Sequence, residues 1–296
     1  MEIHQLRYFV AAAETGNFTR AAERCHVSQP SLSSQLAKLE AELGGPLLER
    51  SRRGSSLSPR GVLFFPRARE ILRQIESAHR EIADFESGSG GSIRLGCLPT
   101  TGAYLLPPLL AAYRRDRPDV QILLSEGSSP ILAGRLAEHE VDLAIMDQAG
   151  LTRGLTGTEL FSEPLYIALP PGHALAGRER LALSELRDQP LILMRKGHGF
   201  NRIVTDALAE AGIEPNVVYE SSEIETVQAL VRAGLGISIV PKMICIHEDI
   251  SYIPVEGREP RRTLLMVARE GYLMPPAARA LVDLAVRELG EIFGYT

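Results

Sequence analysis

Three short stretches combine hydroxyls, glycines and cations where a strand pattern hands over to a helix pattern. They are Pro99-Thr100-Thr101, Gly127-Ser128-Ser129, and Arg195 to Phe200 (RKGHGF). Hydroxyls, the free N–H groups of a helix start and a nearby cation together suit a small anion such as a carboxylate. A fourth stretch carries a different chemistry. Gln29, Pro30, Ser31, Ser33 and Ser34 open a helix that Ser28 caps. An amide in that place can pair two-fold with an adenine edge, hydroxyls can donate or accept, and a proline ring can touch a thymine methyl. Arg50, Arg52 and Arg53 surround a glycine turn, the right groups for phosphates or a minor groove, and Thr19 and Lys38 could add phosphate contacts. Each feature also has a plainer explanation as a capped helix start or as solvated surface charge.

Other chemistries are excluded by what the chain lacks. It holds no GxSxG, HExxH, P-loop or GxGxxG pattern, and Gly197-His198-Gly199 has no third glycine. The expectation is therefore no enzyme and no cofactor. The seven histidines give no metal-ligand pair on one helix face, so no metal is expected. Cys25, Cys97 and Cys245 lie far apart and read as reduced buried thiols. No apolar run approaches the ~18 residues that span a bilayer, and Glu2, His4 and Arg7 do not suit a signal peptide; the expected location is cytoplasmic, with no membrane partner. The net charge of −5 is unevenly spread. Residues 1–60 hold eight Lys/Arg against six Asp/Glu, whereas residues 88–296 hold twenty against twenty-six. A mildly basic head on an acidic body suits a small DNA reader attached to a larger unit that does not touch DNA.

The elements that position these residues follow from periodicity. Leu6, Phe9, Val10 and Ala13 recur at helical spacing until Gly16; Asn17 starts a short second helix, and a turn through Cys25-His26-Val27 leads to the third, whose Leu32, Leu36 and Leu39 point inward. Residues 46–57 read as a two-stranded ribbon around an Arg-Arg-Gly turn. Ser58-Pro59 then starts a helix reaching residue 86 or so, with Val62, Phe65, Leu72, Ile75, Ile82 and Phe85 along one seam and Pro66 inside it. A rod with so narrow an apolar seam calls for a second copy. SGSGGS at 87–92 is a linker by composition, and alternating strands and helices follow it, as in an α/β sheet.

The first sixty residues closely resemble the N-terminal module of LysR-type transcription regulators. The likeness rests on Phe18-Thr19-x-Ala21-Ala22, Val27-Ser28-Gln29-Pro30-Ser31-x-Ser33, Leu39-Glu40, Leu43-Gly44, Leu47, and Arg50 to Gly54. The order of linker helix and α/β body also fits that family. The resemblance implies an α + α/β protein: an N-terminal winged helix-turn-helix (1–58), a linker and dimerisation helix (59–87), a hinge (88–92) and a two-lobed effector domain like a periplasmic binding protein (93–296). Its lobes would be RD1, 93–162 plus 268–296, and RD2, 163–267.

It further implies a homodimer or homotetramer on an interrupted palindrome in double-stranded DNA, with a small, anionic effector between the lobes and RNA polymerase as a further partner. The candidate effector residues are Pro99, Thr100, Thr101, Ser128, Ser129, His198, Gly199, Phe200, Glu225 and Thr226, with Glu223 beside them. Thr100 and His198 resemble the peroxide-sensing branch of the family, yet Gly199 and Leu208 stand where that branch has its cysteine pair. Without a thiolate there, that route to peroxide sensing is closed. Two alternatives remain open: a thiol-based redox regulator using Cys97 or Cys245, and a solute-binding module without DNA function.

Overall fold

Helix α1 (Ile3–Thr15) buries Leu6, Phe9 and Ala12, and it ends where Gly16 takes a left-handed φ of 61°. The Asn17 side chain accepts the N–H groups of Thr19 (2.8 Å) and Arg20 (3.1 Å), which starts α2 (Phe18–Arg24). Ser28 caps α3 (Gln29–Glu42) by accepting Ser31 N–H at 3.3 Å, and Pro30 sits in the first turn, where a missing N–H costs nothing. Leu32, Leu36 and Leu39 are at most 2% exposed and lock α3 onto α1 and α2. The computed structural model describes residues 1–51, 54–87, 91–197 and 199–292. It divides into two compact units, Met1–Ala83 and Asp84–Thr296.

In the first unit, β1 (Leu48–Ser51) and β2 (Gly54–Leu57) pair antiparallel as the expected ribbon. Glu40 ties it to α3, because one carboxylate oxygen accepts both Leu47 N–H (2.8 Å) and Leu48 N–H (3.1 Å). Ser55 N–H donates to Gly16 O at 2.8 Å, a backbone approach so close that a Cβ on Gly54 would lie 2.4 Å from Gly16 O. The Ser58 hydroxyl donates to Pro46 O (2.7 Å) and accepts Gly61 N–H (3.0 Å), which opens α4 (Pro59–Ser87). Its 29 residues make a rod of about 43 Å at ~1.5 Å per residue. Phe64 and Phe65 meet Phe9 at ring separations of 5.5 and 6.2 Å. Val62, Leu63 and Ile82 stay more than half exposed, so one chain leaves part of the rod's apolar surface unburied.

The second unit opens with β3 (Gly91–Cys97), one wide π-helical turn (Thr101–Leu105) and α5 (Leu106–Asp116). Next come β4 (Val120–Glu126), α6 (Ser129–Ala137) and β5 (Leu143–Asp147). A fifteen-residue strand, β6 (Leu155–Leu169), leads to β7 (Leu191–Met194), α7 (Gly199–Glu210), β8 (Val217–Ser221) and α8 (Ile224–Arg232). The chain finishes with β9 (Ser238–Pro241), β10 (Ser251–Pro254), β11 (Arg261–Arg269) and α9 (Pro276–Ile292). Their strands form two lobes. In one, β4-β3-β5 are parallel neighbours and β11 joins antiparallel; in the other, β7 and β8 pair, while β9 and β10 flank the second half of β6.

The long strands β6 and β11 connect the lobes and pair antiparallel along residues 155–164 and 261–269. The return strand already pairs with β5 at Leu264–Val267, upstream of the boundary at 268 suggested by the sequence. A second difference is the first half of β6 together with β10, strands that the sequence reading left out. Leu155–Glu159 lies on the surface and carries a Gly and Thr-rich run, so its strand character comes from pairing with β11 rather than from an apolar pattern.

Candidate functional site

On the first unit, α3 presents a polar face on a helix whose other face is fixed in the core. Pro30, Ser31, Ser34 and Lys38 are exposed, while Gln29 and Ser33 are half-buried. The Gln29 amide donates to the Ser33 hydroxyl at 2.9 Å, so these two groups one turn apart satisfy each other in the free protein. Thr19, at the start of α2, is also exposed. The Arg50 backbone pairs with Ser55 in the ribbon; Arg52 and Arg53 lie outside the described residues.

On the second unit, a small half-open pocket of about 30 Å³ lies between the two lobes. Leu98, Met194, Phe200 and Ile224 supply apolar walls. Polar atoms come from Thr100, Asp147, Ser222 and Arg262, and Pro99 completes the lining. Thr100 and Pro99 follow β3, Asp147 ends β5, and Phe200 lies in the first turn of α7, so the cavity sits at the carboxyl ends of strands from both lobes.

Behind this cavity stands a fully buried ion pair. Arg262 and Glu163 are 1% and 0% exposed. One Glu163 oxygen accepts Arg262 Nε at 3.0 Å and also Nη2, and the other accepts Met243 N–H at 2.8 Å. Arg262 Nη1 donates to the Thr100 hydroxyl at 3.2 Å, and its guanidinium lies 5.9 Å from the centre of the Phe200 ring. The cation that reaches the cavity is therefore already matched to an internal anion. Asp147 is 2% exposed; the Ser129 hydroxyl donates to one of its oxygens at 2.9 Å, and the other has no hydrogen-bond partner.

The structure brings some of the expected effector residues together and separates others. Pro99, Thr100 and Phe200 line the cavity. Ser129 is buried and serves Asp147. Thr101 is buried with an unpartnered hydroxyl, Ser128 is half-buried at the N-terminus of α6, and Thr226 is exposed on α8. Glu225 accepts a 2.5 Å hydrogen bond from Tyr104, which closes one lobe on the other outside the cavity. Burial, with Glu225 next, pushes the Tyr104 hydroxyl well above its usual range, so the proton stays on the tyrosine. Glu223 is exposed at the cap of α8. Gly199 opens α7, and His198 lies outside the described residues. Asp147, Glu163 and Arg262 were missed; a carboxylate ending the apolar strand LAIMD was the available signal for the first.

The thiols stand apart. Cys97 is buried and its pKa is pushed up to about 12 by burial and then by Glu126. Burial, reinforced by Glu163, also pushes the half-buried Cys245 up to about 12. A neutral thiol is a poor nucleophile, so neither residue has the electropositive, accessible setting of a reactive cysteine. No group of three or more His, Cys, Asp or Glu side chains that could hold a metal occurs among the described residues. No helix among them is long and apolar enough to cross a membrane.

Comparison with known proteins agrees with both units. Residues 3–62 match the family described as bacterial regulatory helix-turn-helix protein, lysR family, and residues 86–290 match the LysR substrate binding domain. The chain belongs to the LysR family of transcriptional regulators. Among its LysR relatives is the hydrogen peroxide-inducible genes activator of Dickeya chrysanthemi, 33% identical over 97% of this chain and 95% of that protein. A solved full-length OxyR variant from Pseudomonas aeruginosa is 30% identical, with a TM-score of 0.72, covering 97% of this chain and 98% of that one. Full-length CbnR, solved in complex with its target DNA, gives 27% identity and a TM-score of 0.72 over 97% and 99% of the two chains. The winged helix-turn-helix and two-lobed α/β domain expected of a LysR protein are thus both present.

Proposed function

We propose that this LysR regulator binds double-stranded DNA through α3 and the ribbon, and that a small molecule held between the lobes of the second unit controls that binding. One observation carries the DNA-reading half. The polar residues Gln29 to Lys38 stand on the exposed face of a capped helix whose apolar face is fixed in the core. Such a helix can enter a major groove without the head rearranging. Gln29 and Ser33 would exchange their mutual hydrogen bond for base edges, with Ser31 and Ser34 beside them. Thr19, Lys38, Arg50, Arg52 and Arg53 would engage phosphates or the adjacent minor groove. CbnR, which shares the fold, is solved on target DNA, and that supports the same use of this head.

The exposed residues Val62, Leu63 and Ile82 of α4 support pairing of two chains, and two heads so joined would read an interrupted palindrome. A DNA-bound regulator of this kind acts in the cytoplasm and needs no catalytic step. The effector would lie in the cavity bounded by Thr100, Asp147 and Phe200. Its control would not run through a peroxide-reactive thiol: Gly199 and Leu208 carry no sulfur, and Cys97 and Cys245 are held neutral.

The test is DNA affinity of the full chain on fragments of its own genome, measured with and without a metabolite library and with hydrogen peroxide. The reading expects a steep loss of affinity with salt, a response to at least one small molecule that Thr100→Val abolishes, and no response to peroxide. A peroxide response removed by Cys97→Ser or Cys245→Ser would replace it with the redox alternative.

A further inference from the structure

We infer that the group the effector places between the lobes is a hydrogen-bond donor, a protonated amine, and that Asp147 is the residue that selects it. This rests on the reading of the inter-lobe cavity as the effector site. It departs from the anion expected from the hydroxyls and helix starts of the three loops.

The charges and donors decide it. Asp147 is nine-tenths or more buried and lines the cavity, yet only one of its carboxylate oxygens receives a donor, from Ser129. The second oxygen has no partner among the described residues. A buried carboxylate oxygen without a donor is costly, and native proteins leave few of them except where something else completes the bond. Arg262, the cation in the lining, does not complete it: it gives Nε and Nη2 to Glu163 and Nη1 to Thr100. With Glu163 cancelling Arg262, the lining keeps the negative charge of Asp147. A free anion entering here would meet an unscreened like charge, whereas an ammonium group would supply both the missing donor and the missing charge. The apolar walls of Leu98, Met194 and Phe200 suit the short alkyl group beside that nitrogen.

Size narrows the choice further. A water needs about 10–15 Å³ of such space, so a pocket of about 30 Å³ accepts two or three non-hydrogen atoms. The end of the effector that enters is therefore a methylammonium-sized head.

Methylammonium chloride is the probe. The thermal unfolding of the full chain is followed against it and against sodium acetate, each with sodium chloride at equal ionic strength. The expected result is saturable stabilisation by methylammonium at millimolar concentration or above, as befits so small a ligand. The apparent dissociation constant should rise tenfold or more in Asp147→Asn. In Ser129→Ala, which keeps the carboxylate and frees the oxygen that Ser129 had bonded, affinity should be retained or increased, and this variant decides the matter if Asp147→Asn does not fold. Loss of methylammonium binding in Ser129→Ala, or no saturable effect on the wild type, overturns the proposal. Acetate binding that survives Asp147→Asn but not Thr100→Val also overturns it and leaves the inter-lobe site standing. A response to either probe that neither Asp147→Asn nor Thr100→Val alters removes the inter-lobe site as well.

Discussion

Removing Glu163 tests whether the ion pair behind the cavity holds the second unit together. In Glu163→Ala the Arg262 guanidinium stays 1% exposed but loses the carboxylate that accepts Nε and Nη2, and Met243 N–H loses its acceptor. Breaking a buried pair from one side costs about 3–5 kcal/mol because a charge is left uncompensated. For a unit of this size each kcal/mol lowers the melting temperature by about 2–4 °C, so a fall of roughly 10 °C is expected. Replacing both partners by methionine should restore most of that loss, since burying two apolar chains of similar length avoids the desolvation of both ions. The assay is thermal unfolding of Glu163→Ala, together with a double-mutant cycle over Glu163→Met, Arg262→Met and the pair. The reasoning is refuted if Glu163→Ala costs under about 1 kcal/mol, or if the double variant is as unstable as the sum of the single ones.

Four further outcomes follow from the same structure. Gln29→Ala and Ser33→Ala should each weaken binding to the preferred sequence by about 1–3 kcal/mol while sparing non-specific DNA, whereas Lys38→Ala should lower the salt slope by about 0.9 for each bound head with little change in sequence preference; fluorescence anisotropy across a salt series separates the two. Gly54→Ala forces a Cβ to within 2.4 Å of Gly16 O at a φ of 132°, so the ribbon should detach from α1 at a cost of about 2 kcal/mol or more, visible as weaker DNA binding and faster hydrogen exchange at Ser55 N–H. Raising the Cys97 and Cys245 pKa from near 9 to about 12 lowers the thiolate fraction roughly a thousandfold at neutral pH, so iodoacetamide should label these two residues far more slowly in the folded chain than in the unfolded one. The same shift favours the neutral thiols of the folded state. Their contribution to stability is therefore complete below pH 9 and lost as pH rises towards 12, which a pH series of melting temperatures would detect.

Much of the head was legible because its signals are local. Asn17, Ser28 and Ser58 stand directly at the helix starts they cap, and Leu32, Leu36 and Leu39 follow a helical period. The alternating strands and helices after residue 91 could be read for the same reason. What escaped notice depends on partners distant in the chain. Glu163 and Arg262 are 99 residues apart, and nothing near either one announces the other. The first half of β6 carries no continuous apolar run and is a strand only because β11 lies beside it. Within the cavity, the hydroxyl loops were visible, but Ser129 turned out to serve Asp147. Residue type located the loops; only the packing of the lobes revealed which polar atom lacks a partner.

The central claim, that α3 reads DNA in a paired head, is tested most directly by selection from a random DNA pool with the full chain, alongside Gln29→Ala/Ser33→Ala. The account predicts enrichment of an interrupted palindrome whose half-sites lie a whole number of helical turns apart, with altered or lost preference in the double variant. Absence of any enriched sequence, or enrichment that the double variant leaves unchanged, would contradict it.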